Sequence, residues 1–167
     1  MFMTLFYAWM RIGEAAVSTN SSHLLKIGDI QFQGPRKHPS SYTVSFNSYK
    51  HSRGQPHKMQ IKQSSTNSNC PVQALHGYVV ARRHKVGPLF QSQDGSAITR
   101  SEFESVLQGA LSLAGVKGYI RSHSFRAGAA TTAAMMGASE EQIRASGRWK
   151  SDAYKCYIRP SVIQSFL

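Results

Sequence analysis

One short block of strand-like sequence sits inside a chain that otherwise reads as helical, and this most constrains the fold. Leu24 to Phe32, Tyr42 to Lys50 and His57 to Gln63 read as three strands. In the second, Val44, Phe46 and Ser48 alternate with Thr43, Ser45 and Asn47, the period of an antiparallel strand with one wet face. Gly34-Pro35 breaks the first strand from the second, and Arg53-Gly54-Gln55-Pro56 turns the second into the third. Helical signals surround this block. Leu5, Ala8, Trp9, Ile12 and Ala16 recur at helical spacing and predict a helix from Thr4 to Val17. Pro71 in a first turn opens a helix to about Arg83. Thr99-Arg100-Ser101-Glu102 and Ser139-Glu140-Glu141-Gln142 are capping boxes, opening helices to about Ala114 and Ser146. Ser124 to Met136 is a further helix closed by Gly137, and Asp152 to Ile158 a last short one. The expected fold class is a mostly helical α+β domain with a small three-stranded antiparallel sheet. At 167 residues, the whole of 1–167 fits one domain with a sizeable core.

Charge narrows the partner. There are 20 Lys+Arg against 8 Asp+Glu, a net +12 with pI near 10.1. From Ile30 to Gln93 there is no acid at all, while that stretch carries nine Lys/Arg and five histidines. A one-sided basic field suits a polyanion. A membrane is a poorer match, because there is no 18-residue apolar run and no basic amphipathic helix. Met1 to Met10 is apolar but lacks the basic start and small-residue cleavage site of a signal peptide. Cys70 and Cys156 are too few for a disulfide scaffold. The seven histidines form no Cys-x-x-Cys, His-x-x-x-His or His-Glu pairing, so neither metal nor cofactor is expected.

Six residues dispersed along the chain fall in the order Arg11, Lys50, His123, Arg126, Trp149, Tyr157. Their flanks are distinctive: Met10-Arg11-Ile12-Gly13-Glu14, His123-Ser124-Phe125-Arg126, Gly147-Arg148-Trp149 and Tyr157-Ile158-Arg159. In this order and with these flanks the chain resembles the catalytic domain of the tyrosine recombinases, or phage-type integrases, over roughly residues 3 to 160. The last two stretches are most similar to the eukaryotic transposon-type branch, where a Trp replaces the His of bacterial members.

The resemblance implies cleavage of a DNA phosphodiester without metal. Negative charge then gathers on the non-bridging oxygens, and two guanidinium forks, Arg11 and Arg126, suit it because Arg stays charged and binds phosphate bidentately. Glu14, three residues after Arg11 in an otherwise apolar helix, is placed to orient that guanidinium. Tyr157 is the candidate nucleophile, since a phosphotyrosine ester conserves the bond energy for rejoining. The Trp149-to-Tyr157 spacing is one residue shorter than in the best-known members with this Trp, which keeps Tyr154 as a rival. Lys50, at the turn between the second and third strands, would protonate the leaving 5′-oxygen. The other reading of that turn is a basic hairpin that tracks the backbone, with Arg53 and Lys58 nearby. His123 would act as base toward the tyrosine hydroxyl or bond a phosphate oxygen. Trp149 would donate its indole N–H and buttress the tyrosine, and is otherwise a core Trp. Arg53, Lys58, Arg121 and Arg148 are the expected DNA contacts.

The expected function is therefore site-specific strand cleavage and rejoining through a 3′-phosphotyrosyl link, serving DNA recombination or integration by a mobile element. Double-stranded DNA is the partner, four protomers on two duplexes the implied assembly, and the nucleus the place if the host is eukaryotic. Two alternatives stand. Ser124 to Trp149 also outlines a helix-turn-helix, so the runner-up reading is a DNA-binding module, including a decayed or co-opted recombinase. A type IB topoisomerase uses similar residues on a single duplex. Family members carry an upstream helical domain that clamps DNA, and a longer tail after the nucleophile. Neither is in this sequence, so the isolated chain is expected to bind DNA weakly and recombine poorly.

Overall fold

Strand alternation becomes a three-stranded antiparallel sheet in the order β1 (Ile30–Gln33), β2 (Ser41–Phe46), β3 (His57–Lys62). These assignments come from a computed structural model that describes residues 1–18, 23–49, 52, 54–64 and 70–159. Register follows the apolar pattern: Val44 pairs with Ile30 and Met59, and Tyr42 with Phe32 and Ile61. All these side chains share the core face, because residues two apart in a strand point the same way. The opposite face carries Gln31, Gln33, Thr43, Ser45, Lys58, Gln60 and Lys62, with no acid. The first strand is shorter than the sequence predicts. Asp29 accepts the Lys26 N–H at 2.8 Å and folds Ile27–Asp29 into a 3₁₀ turn, so pairing begins only at Ile30. The second ends at Phe46 rather than Lys50.

Helices enclose the sheet. These are α1 (Phe2–Tyr7), α2 (Ile12–Ala15), α3 (Pro71–Ala81), α4 (Arg100–Leu113), α5 (Ser122–Met135) and α6 (Glu140–Gly147), followed by a 3₁₀ helix, Asp152–Tyr157. Both capping boxes form: Thr99 Oγ1 accepts the Glu102 N–H at 3.1 Å and Ser139 Oγ accepts the Gln142 N–H at 3.2 Å. Tyr42, Phe46, Leu75, Phe90 and Phe103 are fully buried between sheet and helices. Each such side chain contributes about 1.5–3 kcal/mol. Helices α1 and α5 approach closely because Gly128 has no side chain; a Cβ there would sit 3.3 Å from the Phe6 ring. Phe2 stacks on Phe125 at 5.4 Å and meets Phe103 edge-on at 5.3 Å. A second, smaller core joins Ala130 of α5, Ile143 of α6 and Tyr154.

The expected helix from Thr4 to Val17 is in fact two. α1 stops at Tyr7, Trp9 takes a left-handed φ of 51°, and Arg11 is extended as the N-cap of α2. A bulky residue there costs about 1–3 kcal/mol and persists only where surroundings hold it. Two distant arginines, Arg126 and Arg148, supply that hold by donating to the Trp9 carbonyl. Among the described residues no helix is long and apolar enough to cross a membrane.

Candidate active site

The break after α1 is the floor of the site. Its carbonyls point away from any helix and are taken by guanidinium groups. Trp9 O accepts from Arg126 Nη1 and, at 3.4 Å, from Arg148 Nη2; Ala8 O accepts from Arg148 Nη1 at 3.4 Å. Arg126 Nη2 also donates to Gly147 O at the end of α6. The α1–α2 break is thus tied to α5 and α6. It aims Arg11 toward the same space, with Arg11 near enough to Arg126 and Arg148 to repel both.

Glu14 carries the balancing charge. Its carboxylate is 2% exposed. It accepts the Arg11 main-chain N–H at 2.9 Å, Arg11 Nη1 at 3.4 Å and Arg148 Nη2 at 2.7 Å. Two guanidinium groups therefore bind one carboxylate, and a third, Arg126, lies close enough to feel its charge. Arg126 feels the imbalance: burial, then Arg11 and Arg148, push its pKa down to about 9, while Glu14 and Tyr157 pull it the other way. Burial lowers an arginine by itself, and here two neighbouring guanidinium groups that one carboxylate does not balance add to it.

Aromatic rings wall this cationic centre. The Arg126 guanidinium lies 4.0 Å over the Trp149 ring and 5.8 Å over the Tyr157 ring. Trp149 lies 5.1 Å from Tyr157 and meets Trp9 edge-on at 6.0 Å. A Cβ on Gly147 would overlap the Trp149 ring, so glycine is needed where α6 ends. Tyr157 is half-buried, with His123, exposed in the first turn of α5, 5.9 Å away. The main chain around Tyr157 is pinned by Thr131, whose hydroxyl donates to Tyr157 O at 3.3 Å and accepts from the Arg159 N–H at 3.1 Å. Tyr154 is different. It is 1% exposed inside the second core, and burial, followed by Glu140, pushes its hydroxyl up to about 12.

Arg11, His123, Arg126, Trp149 and Tyr157 thus converge from four separate segments. Lys50 and Arg53 lie outside the described residues. Lys58 is exposed on the outer face of β3, beside His57. Arg121 is exposed as the N-cap of α5, its guanidinium 4.7 Å over the Tyr119 ring. Arg148, expected to contact DNA, is buried beneath the site with 1% of its side chain exposed. Within the sequence Glu14 has only Arg11 as a local partner, whereas in the fold its stronger partner is Arg148. The available signal was that Glu14 is the only acid before Asp29, in an apolar setting. His57 was also missed. It packs near Phe46 and Tyr49, and burial together with Arg148 lowers its pKa. Among the described residues no group of three or more His, Cys, Asp or Glu is placed to hold a metal. A groove of about 740 Å³ between Phe2, Ile98, Phe103 and Val106 lies apart from these site residues.

No protein-family profile matches the chain, and no curated protein does. Solved structures do. A XerA recombinase superposes with a TM-score of 0.69 at 19% identity, covering 98% of this chain and 53% of that one. A XerH site-specific recombinase bound to a palindromic difH substrate, in a post-cleavage complex, gives 0.65 at 16% identity over 95% of this chain and 40% of that one. The XerH pre-cleavage complex with difH gives 0.62 at 15%, over 99% and 44%. The chain spans about half the length of these proteins or less. What the likeness establishes is the architecture: this chain has the fold seen in site-specific recombinases of the XerA and XerH kind, the fold expected of a tyrosine recombinase catalytic domain.

Proposed function

We propose that this chain is the catalytic domain of a tyrosine recombinase, which cuts and rejoins DNA through Tyr157. The observation that carries the reading is the convergence of Arg11 and Arg126 beside a half-buried tyrosine, over a centre with three guanidinium groups and one carboxylate. That unbalanced charge suits a phosphodiester whose oxygens grow more negative as the phosphorus is attacked. Tyr157 Oη attacks the phosphorus and displaces the 5′-oxygen, leaving a 3′-phosphotyrosyl ester. A 5′-hydroxyl then reverses the step, and one phosphodiester is exchanged for another. In this reading His123 receives the phenolic proton or bonds a phosphate oxygen, Trp149 steadies the ring, and Lys50 is assigned the protonation of the leaving oxygen. The DNA-bound state of the XerH structures and the net +12 charge favour duplex DNA as substrate. Self-association on DNA, by four protomers on two duplexes, belongs to the same proposal.

The test is a suicide substrate: nicked duplexes of mixed sequence that lose a short oligonucleotide on cleavage, incubated in EDTA and run on denaturing gels. A covalent protein–DNA band is expected. It should vanish in Tyr157→Phe and persist in Tyr154→Phe, whose hydroxyl is walled into the second core. Binding with no band, even after an upstream clamp domain is supplied in cis, would make the chain a DNA-binding module.

A further inference from the structure

We infer that Arg148 is a positioning residue that keeps the Arg11 guanidinium available to a phosphate, and that it does not touch DNA. The inference rests on the proposed role of Arg11. Arg148 ends α6 in the left-handed region, φ 56°, and this turn sends its side chain inward. There it pairs with Glu14 at 2.7 Å, donates to the Ala8 and Trp9 carbonyls, and lies 3.7 Å over the Phe46 ring of β2. One buried guanidinium thus links α6, β2 and the α1–α2 break.

The Glu14 carboxylate is divided unequally between its two guanidinium partners. Its short contact, 2.7 Å, goes to the buried Arg148; its long one, 3.4 Å, goes to Arg11, whose side chain is 26% exposed. Coulomb attraction strengthens as distance and hydration fall. Arg148 therefore holds most of the negative charge, and Arg11 keeps a largely unspent positive one facing the open site. Without Arg148, the buried carboxylate has Arg11 as its remaining cationic partner in this contact set. Arg11 would then be drawn inward and neutralised. Lysine is a poor substitute, because a single ammonium does not reproduce a fork that reaches a carboxylate and two carbonyls.

The test uses the full chain and the variants Arg148→Met, Glu14→Gln and the double variant. Arg11 accessibility is read first, without DNA, by phenylglyoxal labelling and mass spectrometry of the Arg11 peptide. Arg148→Met should lose labelling at Arg11 relative to wild type. The double variant, which removes the carboxylate as well, should regain it. Single-turnover covalent-adduct formation is read second. Arg148→Met should slow the maximal rate by on the order of 10²-fold, the scale of a misplaced catalytic group, with the half-saturating DNA concentration raised far less, since one phosphate contact among many is lost. The double variant should be faster than Arg148→Met alone, a reversal that additive structural damage does not produce. Undiminished Arg11 labelling in Arg148→Met overturns the inference, whatever the adduct assay shows. So does a salt dependence of duplex binding that weakens by about one phosphate contact in Arg148→Met and stays weakened in the double variant, since that marks a direct DNA contact of Arg148 rather than the withdrawal of Arg11. Absence of any adduct in wild type counts against the proposed reaction instead, and leaves the labelling result to decide the role of Arg148.

Discussion

Replacing Gly147 by alanine sets two effects against each other, and the structure decides the sign. In an ordinary helix the change gains about 0.8–1 kcal/mol, because alanine restricts the unfolded chain and favours the helix. Gly147 is the last residue of α6 and its φ is not positive, so backbone strain does not oppose the change. Sterics do, because the new Cβ overlaps the Trp149 ring. Overpacking of this kind costs about 1–3 kcal/mol. Relief requires the ring to move off Arg126, a buried cation–π contact of about 2 kcal/mol, and off Tyr157 and Trp9, at about 0.5–1.5 kcal/mol each. Partial loss of these, set against the propensity gain, leaves a net destabilisation of about 2–4 kcal/mol. For a chain of this length that lowers Tm by roughly 4–16 °C. Gly109→Ala is the matched control. It lies inside α4, exposed, and a Cβ there meets nothing within 4 Å. The same substitution should raise stability by about 0.8–1 kcal/mol. Urea melts of both variants, followed by tryptophan fluorescence and far-UV dichroism, make the comparison. If Gly147→Ala is as stable as Gly109→Ala, the packing of Trp149 against the end of α6 is wrong, and with it the aromatic wall of the site.

The buried ion pair gives a second expectation. Glu14→Gln leaves Arg148 charged and buried without its counterion, which should cost about 3–5 kcal/mol, and the Glu14→Gln, Arg148→Met double variant should recover much of it. Equal melting points for the single variant and wild type would contradict the pairing. A third concerns pH. Arg126, pushed down to about 9 by burial and by Arg11 and Arg148, is charged below that pH and loses its proton above it in the ligand-free protein. A bound phosphate restores the charge, so affinity for a short duplex at fixed salt should be level up to about pH 9 and then fall, by at most about tenfold per pH unit. The step should be missing in Arg126→Gln; its persistence there would assign it to another group.

Much of the fold follows from interactions that close within a few residues, and these were legible in the sequence. The boxes at Thr99 and Ser139 form because each donor and acceptor lies three residues apart. Pro71 opens α3, and the alternation through Tyr42, Val44 and Phe46 sets the sheet face and its register. The dispersed order of Arg11, His123, Arg126, Trp149 and Tyr157 also named the residues that the fold brings together. Where the sequence misled, a distant partner outweighed a local preference. Leu5, Ala8, Trp9, Ile12 and Ala16 have helical spacing, yet the helix breaks because Arg126 and Arg148, 117 and 139 residues away, take the Trp9 carbonyl. Arg148, one arginine among many in a basic chain, reads as a surface contact until Glu14, 134 residues earlier, is seen to hold it in the interior. Local hydrogen bonds and apolar periodicity determined the elements. Only tertiary packing decided which cations are buried, because desolvating a guanidinium is tolerable only where a carboxylate and free carbonyls from elsewhere in the chain already wait for it.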